Sequence, residues 1–215
     1  MTDNTDYSTF NPDCDVCPRF VKNFAQLRTQ FPHYHNAPVA PFGIKSPKLL
    51  IVGLAPGLHG ANATGRPFTG DFAGILLYET LYKYGLSTQA IAKDANDGLK
   101  LKNCRISNAV KCLPPENKPT SAEVNECNRY LAAELKSLKQ GTIIVALGGI
   151  SHKAIIKALA LRQAEFKFAH LAQHALPNEL VLLDSYHCSR YNTSTKRLTE
   201  AMFHKVFDRA TQLMV

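Results

Sequence analysis

Short, dense apolar runs alternate along this chain with longer stretches in which apolar residues return every three or four positions. Residues 48–54, opening on Lys48-Leu49-Leu50-Ile51-Val52, predict a buried strand. RISNAV (105–110), TIIVAL (142–147) and VLLDSY (181–186) predict three more. Helical spacing covers residues 18–31, 72–84, 120–138, 151–162 and 195–212. Thr120 starts the third of these helices, with Glu123 placed to complete a capping box. Strands separated by helices predict an α/β fold whose parallel sheet is covered on both faces. No internal repeat or low-complexity linker divides the chain, so residues 1–215 are expected to form a single domain.

Between the first strand and the second helix lies GLAPGLHGANATGRPFTGDFAG, residues 53–74, with six glycines, two prolines and the acidic Asp71. Chemistry in parallel α/β sheets gathers at the carboxyl ends of the strands. The unusual loops of this chain, residues 53–71, 108–117 and 187–193, all fall at such ends.

Composition narrows the setting. Apolar residues make up 45% and charged residues 20%, and no apolar run approaches the ~18 residues of a membrane span. The opening MTDNTDYSTFNPDCDVCPRF is polar and acidic, without the basic start and apolar middle of a secretion signal, so an intracellular, cytoplasmic protein is expected. A net charge of +8 favours a polyanionic partner such as nucleic acid over a generic basic surface only weakly. Six cysteines in such a chain point to metal or redox chemistry rather than a disulfide scaffold.

Cys14-x-x-Cys17 brings two thiols to one side of a turn, and Cys112 and Cys127 lie at a strand end and inside the capped helix. Four thiolates can hold a tetrahedral zinc ion or a [4Fe–4S] cluster, and spacing alone leaves both open beside four buried apolar cysteines. Cys104 and Cys188 fall outside the pattern and read as free thiols.

CDVCPR, GLAPGLHGANATGRPFTGD, NAVKCLPPENKPT and HCSRYNTSTKRLT, in that order, resemble the motifs of the iron–sulfur branch of the uracil-DNA glycosylase superfamily, closest to family 5 (type B). The resemblance implies a three-layer α/β/α sandwich with a short, roughly four-stranded central parallel sheet. It implies a [4Fe–4S] cluster on Cys14, Cys17, Cys112 and Cys127, tying the N-terminal segment to the body. It further implies a monofunctional, monomeric, prokaryotic enzyme that flips a deaminated base out of single- or double-stranded DNA and hydrolyses its N-glycosidic bond. The alternative is an iron–sulfur DNA-binding protein that has lost catalysis. A phosphate-cradling α/β enzyme is disfavoured, because the loop lacks the GxxxxGK[ST] and GxGxxG spacings.

Carried onto this sequence, the resemblance makes Phe68 the stacking surface, Asn108 the reader of the pyrimidine edge, His187 the donor to the base O2, and Asp71 the carboxylate that activates water. Each has a plainer alternative: a core Phe, an Asx turn, a structural His, a helix N-cap. Gly53, Leu54, Ala55, Pro56, Gly57, Ser189 and Arg190 are the implied substrate contacts, with phosphates held by backbone near Gly57–Gly65 and by Arg66, Arg190 and Lys196. Arg190 or Tyr191 would fill the space left by the flipped base. The sequence departs from the related family 4 pattern at Leu54, where those proteins carry an acidic residue, and it carries Cys188 where relatives have Pro or Val. An apolar Leu54 opens the base preference to hypoxanthine and xanthine as well as uracil.

Overall fold

Four strands run parallel through the middle of the chain: β2 (Leu49–Gly53), β3 (Cys104–Asn108), β4 (Ile143–Leu147) and β6 (Val181–Ser185). The computed structural model describes residues 10–214; the acidic opening of the chain, residues 1–9, lies outside the described residues. LLIVG and IIVAL are buried at every position, which is why they read as unbroken apolar runs.

Two further strands close the edges, β1 (Phe42–Gly43) and β5 (Gln173–Ala175), both antiparallel to their neighbours. Among the described residues the sheet therefore has six strands in the order β1-β3-β2-β4-β6-β5: the roughly four parallel strands expected, with two antiparallel edges added. A two-residue and a three-residue strand are too short to carry an alternating pattern, so only their long-range partners define them.

The three expected layers are present. Leu49, Ile51, Val145 and Leu183 pack one face of the sheet against α3 (Phe72–Lys83) and the last helix, α7 (Glu200–Leu213). Leu50, Val52, Ile144 and Leu182 pack the other face against α4 (Ser121–Lys136) and α5 (Gly149–Ala158). The capping box of Thr120 and Glu123 is formed as read. The first helix, α1 (Pro18–Gln30), packs Phe20, Phe24 and Leu27 against Val110, Leu113 and Tyr130. The short helix α2 (Ala61–Thr64) sits inside the glycine-rich loop.

The helix expected over 195–212 begins only at Glu200, as α7, and a separate short helix, α6 (Arg190–Ser194), forms where a loop was expected. Lys196 takes a left-handed φ of 57°, and the Thr199 side chain caps α7 by accepting from Met202 N–H. Among the described residues no helix is long and apolar enough to cross a membrane.

Candidate active site and cysteine pocket

Gly53 ends β2 beside Asn108, its register partner at the end of β3. A Cβ on Gly53 would lie 2.5 Å from Asn108 Oδ1 and 2.5 Å from the Phe68 ring. The absent side chain is what lets an amide and an aromatic ring meet at the strand ends. Asn108 is buried, and its Oδ1 accepts no hydrogen bond within the described protein. A buried acceptor left in this state costs about 1–3 kcal/mol, so it marks a place where an N–H from outside would be stabilising.

Phe68 is held at φ +55°, an outlier for a bulky residue that costs on the order of 1–3 kcal/mol. Its carbonyl oxygen sits 1.8 Å from where a Gly74 Cβ would be, so glycine is required at the start of α3 to receive it. The Phe68 ring stacks on His187 at 6.0 Å and 26° between planes.

In front of these residues an open groove is lined by Leu54, Ala55, Pro56 and Gly57, by Asp71, and by His187, Ser189 and Arg190. Asp71 divides its two oxygens. Oδ1 accepts the Gly74 N–H at 2.9 Å and caps α3, while Oδ2 faces Gly57 and Gly60. The cap and the groove carboxylate, alternatives on sequence grounds, are thus the same residue. Burial raises the Asp71 pKa against the opposing pull of the Gly74 and Ala73 N–H groups.

Burial lowers His187 to about 4, so its imidazole is neutral at physiological pH. The Asn192 side chain donates to the His187 carbonyl at 2.8 Å and fixes the backbone there. Ser189 spends its hydroxyl capping α6. Arg190 is exposed, with its guanidinium 5.4 Å from the Phe72 ring centre, and Tyr191 beside it is 72% exposed.

Asn108, Gly53 and Phe68 are not among the groove's lining residues; Phe68 adjoins Gly53 and Asn108 and stacks on His187, which does line it. Arg66 is a correction. Rather than facing phosphate, it is 3% exposed and makes a bidentate pair with Asp97, at 2.8 and 2.6 Å, while its Nε–H donates to Thr69 Oγ1. Lys196 is exposed just beyond α6.

The four cysteines singled out by spacing, Cys14, Cys17, Cys112 and Cys127, line one pocket with Val16, Phe20, Pro38 and Tyr130. The Lys111 backbone N–H donates to Cys127 Sγ at 3.2 Å, and Arg129 donates to Cys14 Sγ at 3.5 Å. Burial, then the neighbouring sulfurs, push Cys17 up to about 11 and move Cys112 upward as well. Such thiols give up their protons only to a positive centre that replaces them.

Four thiols in one pocket suit either a tetrahedral zinc ion or an iron–sulfur cluster. Cys104 and Cys188 are buried elsewhere, each directing its thiol at a backbone carbonyl.

Two polar groups escaped the sequence reading. His152 Nδ1 meets Asp184 Oδ1 at 2.8 Å while its Nε2–H donates to Phe166 O, and His174 meets Asp184 Oδ2 at 3.2 Å. This buried network ties the 159–175 excursion to β6. His59 lines the groove, with its Nδ1 3.0 Å from the Tyr34 hydroxyl. The only sequence signal for it was a histidine between Leu58 and Gly60 in the glycine-rich loop.

Residues 40–211 match the Uracil DNA glycosylase superfamily. The chain is 41% identical over 205 residues to the Type-5 uracil-DNA glycosylase of Thermus thermophilus, covering 93% of each protein. It is 40% identical to the Type-5 uracil-DNA glycosylase of Mycobacterium leprae, covering 93% of this chain and 91% of that one. Among solved structures, wild-type SMUG2 of Pedobacter heparinus matches with a TM-score of 0.52 at 15% identity over 96% of this chain and 94% of that one, a likeness of fold.

Proposed function

This chain belongs to the uracil DNA glycosylase superfamily, and from that premise we propose that it removes uracil from DNA by hydrolysing the N-glycosidic bond. The observation that carries the reading is the unpaired, buried Asn108 Oδ1 beside the Phe68 ring over Gly53. Uracil offers an N–H to that acceptor and a flat face to that ring. Neutral His187, stacked on Phe68, donates an N–H to the base as negative charge grows on its carbonyl oxygen. Asp71 keeps one oxygen on the helix cap and turns the other toward Gly57 and Gly60, where it orients water and stabilises the cationic sugar. The Leu54 side chain offers no hydrogen bond to a base, so hypoxanthine and xanthine fall within the proposed range beside uracil.

We further propose that Cys14, Cys17, Cys112 and Cys127 hold a [4Fe–4S] cluster, each thiolate on its own iron. The four thiols gathered in one pocket and the N–H groups aimed at two of them support a thiolate-bound metal centre at this place. When bound, the cluster supplies a covalent tie between the N-terminal segment and the loop after β3; the residues of the groove carry the chemistry.

Incubation with a duplex containing one uracil, followed by alkali, should cleave the strand at that position. An intact strand under single-turnover conditions would rule the activity out. Cys112→Ser should lose iron and the brown absorption; retention of full iron content would rule out the ligand set.

A further inference from the structure

Residues 31–39 form a strap from the end of α1, across the glycine-rich loop, to the loop after β3. His35 N–H donates to Ala63 O at 3.1 Å and Asn36 N–H to Asn62 O at 3.2 Å. The buried amides of the two asparagines pair, Asn62 Nδ2 to Asn36 Oδ1 at 2.9 Å, and Val39 N–H donates to Lys111 O at 2.7 Å. Held this way, the strap sets the Phe31 and Tyr34 rings in a stack, 4.8 Å apart, with the His59 ring nearly perpendicular to both.

His59 itself is exposed at the rim of the groove. Its Nδ1 is engaged by the Tyr34 hydroxyl, and its Nε2 has no partner among the described residues. We propose that His59, held by Tyr34, donates a hydrogen bond from Nε2 to a phosphate of the DNA strand at the groove mouth. This rests on the uracil-excision reading for where the nucleotide lies. A base seated against Phe68 and Asn108 is deep, so its sugar comes opposite Asp71 and its phosphodiester leaves by the rim.

The chemistry suits that position. A Tyr O–H donating into Nδ1 places the ring proton on Nε2, and a ring that takes a second proton still donates there, with the hydroxyl turned to accept. In both of these states, which the proposal assigns over the neutral Nδ1–H tautomer whose Nε2 would accept, a donor points outward, and a donor facing an anionic oxygen makes one of the stronger hydrogen bonds. Tyr34 is a positioning residue: it touches His59 and fixes its orientation, while the strap fixes Tyr34.

The test measures binding apart from turnover. Fluorescence anisotropy gives Kd for a uracil duplex and for the same duplex without uracil, each also made with single methylphosphonates at positions flanking the target. His59→Ala should weaken binding to the normal uracil duplex about tenfold. It should have no further effect on the one duplex whose neutral linkage replaces the contacted phosphate. His59→Gln should restore most of the affinity, and Tyr34→Phe should lose about threefold. Melting and iron content check that each variant is folded.

An equal loss for His59→Ala on every methylphosphonate duplex, or wild-type affinity throughout, overturns the proposal. So does a loss confined to kcat. If the wild-type protein leaves uracil uncut, the excision reading fails separately, and the Kd comparison still decides the phosphate contact.

Discussion

Gly60→Ala isolates how much depends on where Asp71 stands. A Cβ at residue 60 would lie 2.5 Å from Asp71 Oδ2, 2.8 Å from its Cβ and 2.9 Å from its Cγ. Non-bonded carbon contacts are relaxed near 3.5 Å, so the carboxylate must retreat by roughly 1 Å. It cannot do so freely, because Oδ1 is held by the Gly74 N–H at 2.9 Å as the cap of α3. Loss of that cap costs about 1 kcal/mol, and overpacking about 1–3 kcal/mol more. At about 2–4 °C per kcal/mol for a chain of this size, Tm should fall by several degrees.

Displacing a reacting group by about 1 Å costs on the order of 10²-fold in rate, or about 2.7 kcal/mol of barrier. Single-turnover excision from a labelled uracil duplex measures it, and a thermal melt accompanies it. Gly57→Ala is the graded companion: its Cβ would meet Oδ2 at 3.3 Å, so its loss should stay under about fivefold. A Gly60→Ala protein that cuts within about twofold of wild type at unchanged Tm would refute the reasoning.

Because His187 is lowered to about 4, the excision rate should be flat through pH 6–8; an inflection around pH 6.5 that vanishes in His187→Gln would show a titrating imidazole instead. Asn108→Leu fills similar space without the orphan oxygen, so Tm should hold or rise while excision falls at least about tenfold; a joint loss of both would mean the amide is structural. Arg66→Met strands the nearly buried Asp97 carboxylate and should cost about 3–5 kcal/mol by urea denaturation. The Arg66 guanidinium, the largest influence on Asp97, holds its folded pKa below the unfolded value of about 3.9. The pair's stabilisation is therefore complete above that value and fades as pH drops toward the folded one. The stability gap between wild type and Arg66→Met should narrow from about pH 5 to pH 2, and a gap constant over that range would contradict the assignment.

Two of the parallel strands, β2 and β4, were readable because each is buried on both sides and carries an uninterrupted apolar run. Local chemistry was readable too: Thr120 with Glu123, and Asp71 before Phe72, both satisfy N–H groups within a turn. The grouping of four cysteines across more than a hundred positions was visible as spacing, although only folding shows that they share a pocket. What stayed hidden depended on distant partners. Arg66 looks like any basic loop residue until Asp97, 31 positions away, is brought against it. His59 acquires an orientation only from Tyr34, which a separate strap delivers. The break at Lys196 turns on a single left-handed residue that apolar periodicity does not register.

The two edge strands matter for solubility. Bare flanks on a sheet of LLIVG- and IIVAL-like strands would offer unpaired backbone to any neighbouring chain. Here one flank stops after two residues, at a Gly43 with φ of +129° where an added Cβ would lie 2.4 Å from Cys104 O, so no side chain is admitted. The other ends in three residues, with Gln173 and Ala175 exposed. Resistance to aggregation is thus concentrated in two short stretches. A bulky residue at Gly43 should show itself first as precipitate during refolding, with the recovered soluble fraction still able to bind DNA.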